Sequence, residues 1–176
     1  MVDQHLDSIK LTRNHYPSVK DVTWDDVMDK ASSELSVPPF TGIVIWNDYE
    51  IHSSVNPHEK VKLRKTIHRQ FTNPPTFVLH SDYRPGTLNQ IFQEVSAKQG
   101  LKVMHVYFSF GRDNLTFGDH KDTVDVLILQ AKGTMSYICE GITYKLNVGD
   151  SLFIPKGTYH EPVVTGPRIT LSFSWE

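Results

Sequence analysis

Apolar positions along this chain change their period near residue 100. Before that point two stretches carry helical spacing: "TWDDVMDKASSE" opens at Thr23 with Asp26 three positions on, and "TLNQIFQEVSAKQG" opens at Thr87 with Gln90 three on. Both match a capping box, and Gly100 supplies a C-cap for the second. Prolines at 38, 39, 57, 74, 75 and 85 break the intervening chain into short extended pieces, among them "TGIVIW" and "PTFVLH". From residue 101 onward the pattern is one of short strands. "LKVMHVYFSF", "VDVLILQ", "TMSYIC", "ITYKL", "SLFI" and "RITLSFSW" are β-branched or aromatic-rich and separated by turn residues such as Glu140-Gly141 and Asn147 to Asp150. So dense a run leaves little room for helices, which predicts antiparallel pairing in a sandwich or barrel. The expected fold class is mainly β, with the N-terminal helices packed outside the barrel. No repeat, low-complexity tract or clear linker interrupts the chain, so 1–176 is expected to be a single domain, with 1–100 bracing a barrel core at 101–176.

Composition narrows the class without naming a chemistry. A chain of 176 residues with 39% hydrophobic and 22% charged content is ordinary for a globular protein and buries a core without disulfides. The single cysteine, Cys139, forms no internal disulfide and excludes a thiolate zinc cluster, in keeping with a reducing compartment. No apolar run approaches about 18 residues, and the opening "MVDQHLDSIK" lacks a charged-then-apolar leader, so the expected location is cytoplasmic with no membrane partner. A net charge of −2 offers no long-range attraction for nucleic acid. The basic run "KVKLRKTIHR" at 60–69 reads as a solvated face, with a phosphate-binding patch as the less favoured option.

Candidate chemistry begins with His-x-Asp, which occurs three times: His5/Asp7, His80/Asp82 and His120/Asp122. With nine histidines roughly one such pair arises by chance, so the bare motif does not choose among them. A second stretch is more specific. "GDSLFIPKGTYHEPV" places Gly149 and Asp150 in a turn, "SLFI" in a short strand, Pro155 and Gly157 in a bend, and His160 at a fixed offset beyond it.

That stretch resembles the second conserved motif of the cupins, with Val164 where the motif ends in asparagine. The first motif is also recognisable, its metal-binding pair falling on His120 and Asp122 and its closing glycine on Gly133. Where many metal cupins carry a second histidine this chain has Asp122, and their glutamate falls on Val126. The resemblance therefore implies a double-stranded β-helix (jelly-roll) barrel with His120, Asp122 and His160 as catalytic metal ligands. Two imidazoles and one carboxylate on a face of Fe(II) leave three positions open, enough for a bidentate 2-oxo acid and dioxygen. They also leave one net positive charge, which suits an anionic cosubstrate.

"HKDTVDVLILQAKGTMSY" looks more specifically like the JmjC and cupin-like ribosomal-oxygenase branch of the Fe(II)/2-oxoglutarate dioxygenases, matching it at His120, Asp122, Asp125, Gln130 and Gly133. Upstream, "HVYFSFG" resembles the strand that enters the site there, with Tyr107 where 2-oxoglutarate is often touched. The resemblance covers about residues 101 to 175, the earlier part being matched only loosely. One departure is Met135, at a position where the family usually places a lysine or arginine for the distal carboxylate. In "GPRITLSFSW" the strand period puts Ile169, Leu171, Phe173 and Trp175 on one face and Arg168, Thr170, Ser172 and Ser174 on the other. Arg168, eight residues after His160, resembles with Thr170 the Arg-x-Ser/Thr element of other 2-oxoglutarate oxygenases. A guanidinium fork suits a carboxylate.

Plainer readings stand beside these. Arg168 also reads as a surface arginine after a Gly-Pro turn, and Lys145, a weaker cation candidate, as an exposed hairpin lysine. His105 reads as a satisfied core histidine or a substrate contact. Met135, Tyr137 and Cys139 share a parity that suits either barrel lining or core packing, and Thr116 either donates to the cosubstrate or ends a loop. The expectation is an Fe(II)- and 2-oxoglutarate-dependent oxygenase, a hydroxylase acting with dioxygen on an unidentified substrate. Its rivals are a metal cupin that works without 2-oxoglutarate, as an isomerase or another dioxygenase, and a non-enzymatic small-molecule-binding cupin. Barrels of this kind often pair through edge strands, which leaves a homodimer open.

Overall fold

A computed structural model describes residues 8–34, 43–46, 50–52, 76–79, 85–112, 114 and 116–175. The basic run at 60–69, His5/Asp7 and His80/Asp82 lie outside the described residues. In chain order the elements are β1 (Lys10–Thr12), a 3-10 turn (Pro17–Asp21), α1 (Trp24–Glu34), β2 (Ile43–Trp46), β3 (Glu50–His52), β4 (Thr76–Leu79) and α2 (Thr87–Gln99). There follow β5 (Val103–Ser109), β6 (Val126–Lys132), β7 (Met135–Cys139), β8 (Ile142–Leu146), β9 (Ser151–Ile154), β10 (His160–Val164) and β11 (Arg168–Ser174).

The strands form two antiparallel sheets, one ordered β1-β9-β6-β11-β5-β4-β2-β3 and a smaller one ordered β10-β7-β8. The larger sheet is covered on both faces, which is why β6 reads "VLILQAK" without clean alternation. On its outer face Met104, Val106, Phe108, Leu127, Leu129, Leu171 and Phe173 pack against Tyr16, Val19, Val27, Leu88, Ile91, Phe92 and Val95 from the 3-10 turn and helices. The inner face meets the small sheet through Val126, Ile128, Leu152 and Ile154 against Met135, Cys139, Leu146 and Val164. Each such buried aliphatic stabilises the fold by roughly 1.5–3 kcal/mol relative to exposure. The mainly β, jelly-roll expectation holds, and the helices lie on the outer face of the barrel.

Thr23 caps α1 as its sequence suggests: the Thr23 N–H donates to the Asp26 carboxylate at 2.7 Å and the Asp26 N–H to Thr23 Oγ1 at 3.1 Å. For α2 the expectation is corrected. The N-cap is Gly86, with no side-chain cap bond, and Thr87 is already helical because the Gln90 N–H reaches the Gly86 carbonyl at 3.0 Å. Gly100 does end α2, in the left-handed region at φ 71°. Strand β10 carries no sequence signal, since Pro162 argues against a strand. Among the named strands it pairs only with β7, at the sheet edge, where a missing N–H breaks no ladder.

Candidate metal centre

The loop 116–122 and the start of β10 are held together by backbone. The His120 N–H donates to the His160 carbonyl at 3.1 Å and the His160 N–H to the His120 carbonyl at 2.8 Å. The Gly157 N–H donates to the Asp122 carbonyl at 2.8 Å, and the Lys156 N–H to the Asp125 carboxylate at 2.8 Å. The bend at Pro155–Gly157 is thereby locked against the His-x-Asp loop. Asp125 is thus accounted for as a clamp between two loops.

This frame brings one ligand atom each from His120, Asp122 and His160 within 4.8 Å of one another. His160 Nε2 lies 3.6 Å from Asp122 Oδ2, close to the spacing of about 3 Å expected for cis ligands with bonds near 2.1 Å. His120 Nδ1 lies 2.8 Å from the Gly118 carbonyl and His160 Nδ1 lies 3.0 Å from the Thr158 carbonyl. A carbonyl only accepts, so each Nδ1 carries a proton, and in the neutral ring Nε2 keeps its lone pair for a metal. Burial holds the His160 pKa below the ordinary histidine range, which favours the neutral ligand form. Neutral imidazoles with one carboxylate fit Fe(II) and its divalent neighbours.

A cavity of about 530 Å³ opens between the sheets beside these three residues. Arg168 lines it from the larger sheet and is only 2% exposed. Ile169 stands opposite Lys132 at the end of β6, whereas Asp122 precedes the start of β6, so Arg168 and the triad lie at opposite ends of the β6–β11 ladder. Arg168 Nη1 donates to Thr170 Oγ1 at 3.0 Å, and Thr170 Oγ1 donates to Gln130 Oε1 at 2.9 Å. Gln130 in turn donates to the Lys132 carbonyl at 2.6 Å. Among the described residues Arg168 Nε has no hydrogen-bond partner. A buried guanidinium with only neutral company costs several kcal/mol unless an anion joins it. The cavity thus carries a cation on one wall and the His-Asp-His cluster on another, a donor set that suits an acid.

Tyr107 and Tyr137 line the same cavity. Burial raises the Tyr107 pKa far above the ordinary phenol range and pushes Tyr137 up to about 12, the nearby Arg168 opposing both shifts. Both are neutral O–H donors at physiological pH. Burial pulls the Arg168 pKa down from its usual value, though a guanidinium stays charged in a protein.

The residues singled out in the sequence converge here with different jobs. Tyr107, Thr116, His120, Asp122, His160 and Arg168 all line the cavity. Thr170 reaches it through Arg168, and its hydroxyl is fully engaged. Thr116 Oγ1 donates to the Pro162 carbonyl at 3.2 Å and accepts from the Gly118 N–H at 3.2 Å, ordering the loop that carries His120. His105 and Tyr137 are on the wall, whereas Met135 and Cys139 are packed into the inner core. Burial lifts the Cys139 thiol to about 11, leaving it inert. Lys145 is exposed, and its carbonyl accepts from Arg13 at 2.9 Å. Thr76, on β4, also lines the cavity and carried no sequence signal, since nothing in "PPTFVL" fixes its register against β5.

No protein-family model and no curated protein sequence matches the chain. Solved structures do. A structure of YcfD from Escherichia coli superposes with a TM-score of 0.75 at 11% identity, over 97% of this chain and 50% of that one. Another, of the same ribosomal oxygenase in complex with cobalt and 2-oxoglutarate, gives 0.72 at 15% identity over 96% and 48%. The chain has the cupin-type double-stranded β-helix fold. It spans about half the length of these structural neighbours. Within this fold His160 opens β10 of the small sheet, His120 and Asp122 lie on the loop from β5 to β6 of the large sheet, and Arg168 is on the last strand of the large sheet. Among the described residues no helix is long and apolar enough to cross a membrane.

Proposed function

We propose that this chain is an Fe(II)- and 2-oxoglutarate-dependent oxygenase, a hydroxylase of a substrate not yet identified. The observation that carries the reading is the buried Arg168 with an unpartnered Nε, facing the cavity at the opposite end of a sheet ladder from a His-Asp-His cluster. His120, Asp122 and His160 would hold the iron, and Arg168 would take the distal carboxylate of 2-oxoglutarate. Bound together, metal and cosubstrate supply the oxidising power: dioxygen is consumed, 2-oxoglutarate is converted to succinate and carbon dioxide, and a substrate C–H bond is oxidised.

The protein's own residues bind and orient. Thr170 and Gln130 keep the Arg168 fork in place, Tyr107 offers a neutral O–H, and Thr116 holds the His120 loop. Phe117, Val124 and Ile128 give the cavity apolar walls that limit water near the reacting groups. The competing cupin reading, without 2-oxoglutarate, draws on Met135 at the usual basic position. Its side chain is packed in the inner core, and the cation on Arg168 comes from a different strand. Dioxygen and the substrate would be the partners, in the cytoplasm, where Cys139 stays reduced.

Succinate formation tests the proposal. His120→Ala should abolish it, and Arg168→Ala should raise the 2-oxoglutarate requirement about tenfold to a hundredfold, the loss of a charge-assisted bidentate contact. An unchanged requirement in the Arg168 variant would move that role to another residue.

A further inference from the structure

The polar inner face of β11 continues past the cation. Arg168 Nη1 reaches Thr170 Oγ1 at 3.0 Å, which sets the guanidinium beside Thr170. Ser172 and Ser174 follow on the same face, half-buried on the cavity wall. His105 stands opposite Ser172 in the β11–β5 ladder and lines the same wall. On the other side of β11, Ile128 is opposite Ser172 and Val126 is opposite Ser174. Holding a metal at the triad and an acid at Arg168 gives no task to His105, Ser172 or Ser174.

These side chains lie beyond the reach of the cosubstrate. An antiparallel strand rises about 3.4 Å per residue, so Ser174 is about 14 Å beyond Thr170 along β11. With C–C bonds near 1.5 Å, a five-carbon diacid spans about 5–6 Å, so one held by Arg168 stops short of Ser174. Volume agrees. An acid of about ten heavy atoms, at no more than the roughly 30 Å³ that a water molecule takes in the liquid, leaves part of the cavity of about 530 Å³ for a second molecule. That remainder is at the triad end, since Val126 opens β6 just after the loop that carries Asp122. Its chemistry is specific. Hydroxyls and a neutral imidazole each donate and accept, and Val126 and Ile128 beside them suit an aliphatic stem. Among the described lining residues only Asp122 and Arg168 carry a fixed charge, and metal and cosubstrate take both. A further charge brought into the cavity would lack a partner and be costly.

We propose that His105, Ser172 and Ser174 form the subsite for the molecule to be oxidised, and that they select an uncharged arm whose end both donates and accepts hydrogen bonds, a carboxamide being the simplest. The proposal rests on the oxygenase reading and deepens it by naming the substrate's class. It divides β11 between two ligands, Arg168 and Thr170 serving the cosubstrate and Ser172 and Ser174 the substrate.

Chemical-shift titration of Zn(II)-loaded protein, first with 2-oxoglutarate and then with four probes, separates the outcomes. The probes are the Nα-acetyl amides of glutamine, glutamate, lysine and norleucine, whose arms end in a carboxamide, a carboxylate, an ammonium and a methyl group. The glutamine probe should bind about tenfold more tightly than each of the others. Ser172→Ala and Ser174→Ala should each weaken it about fivefold to tenfold without changing 2-oxoglutarate affinity. Ser174→Asp should move the preference to the lysine probe, a reversal that a merely structural role for Ser174 would not produce. Wild-type protein that takes up 2-oxoglutarate but prefers a charged or methyl arm, shows no preference, or binds none of the probes would overturn the subsite and leave the oxygenase reading in place. Unchanged glutamine-probe affinity in both alanine variants would overturn it as well. Protein that does not bind 2-oxoglutarate would sink the oxygenase reading and the subsite with it.

Discussion

Gly133 closes β6 with φ +68°, and a Cβ there would lie 2.1 Å from the Pro167 carbonyl oxygen. The contact is with backbone, one residue before Arg168, so no side-chain rotation relieves it. Gly141, at φ +81°, has nothing within 4 Å of the place a methyl group would take. Gly141→Ala should then lose only the backbone term of about 1–2 kcal/mol. Gly133→Ala should lose that and more, lowering the thermal midpoint by at least about 5 °C and weakening 2-oxoglutarate through the displaced Arg168. Equal midpoints for the two variants would show that the Gly133 turn has slack. The family pattern in the sequence singles out Gly133, but its reason is visible only once β11 is seen returning against the turn.

At the scale of elements, β1 and the turn after it are pinned to the β8–β9 turn by one side chain. The Asp150 carboxylate accepts from the Asn147 N–H at 2.9 Å, the Asn14 N–H at 3.0 Å and the Arg13 guanidinium. Burial pushes its pKa up, but these donors outweigh burial and hold it below the ordinary carboxylate range. A depressed folded pKa contributes stability that is complete above the unfolded value of about 4 and is lost as pH falls through the lower folded value. Asp150→Asn should reduce stability at pH 7 and flatten the acid limb of a midpoint-against-pH curve. Curves that run parallel for the two proteins would contradict this. The same element scale shows what sequence could carry. Alternation in "RITLSFSW" separates Arg168, Thr170, Ser172 and Ser174 from the apolar face correctly. It does not say that the polar face is the inward one, because a two-sided sheet hides its solvent side. The capping box at Thr23 is a local reciprocal pair and reads directly, whereas at α2 the Pro85-Gly86 turn takes over the cap.

For the molecule as a whole, one sheet serves two cores. Its outer face anchors the helices, and its inner face carries Thr76, Tyr107 and Arg168 toward the cavity that the triad also lines. Site and scaffold therefore share rigid strands, which keeps the two ends of the cavity at a fixed separation. The triad was legible in sequence because its residues lie in two local motifs. Thr76 was not, because its place on the cavity wall depends on strand register between distant segments.

The central claim is that the triad and Arg168 together hold one 2-oxo dicarboxylic acid against iron. The most direct test is to load the purified protein with Fe(II) under anaerobic conditions, add 2-oxoglutarate, and record the visible spectrum. The account predicts the charge-transfer band of a 2-oxo acid chelating Fe(II), absent in His120→Ala and requiring more 2-oxoglutarate in Arg168→Ala. Iron that binds without producing the band would contradict it and favour a metal cupin of other chemistry, and protein that binds no iron would remove the triad itself.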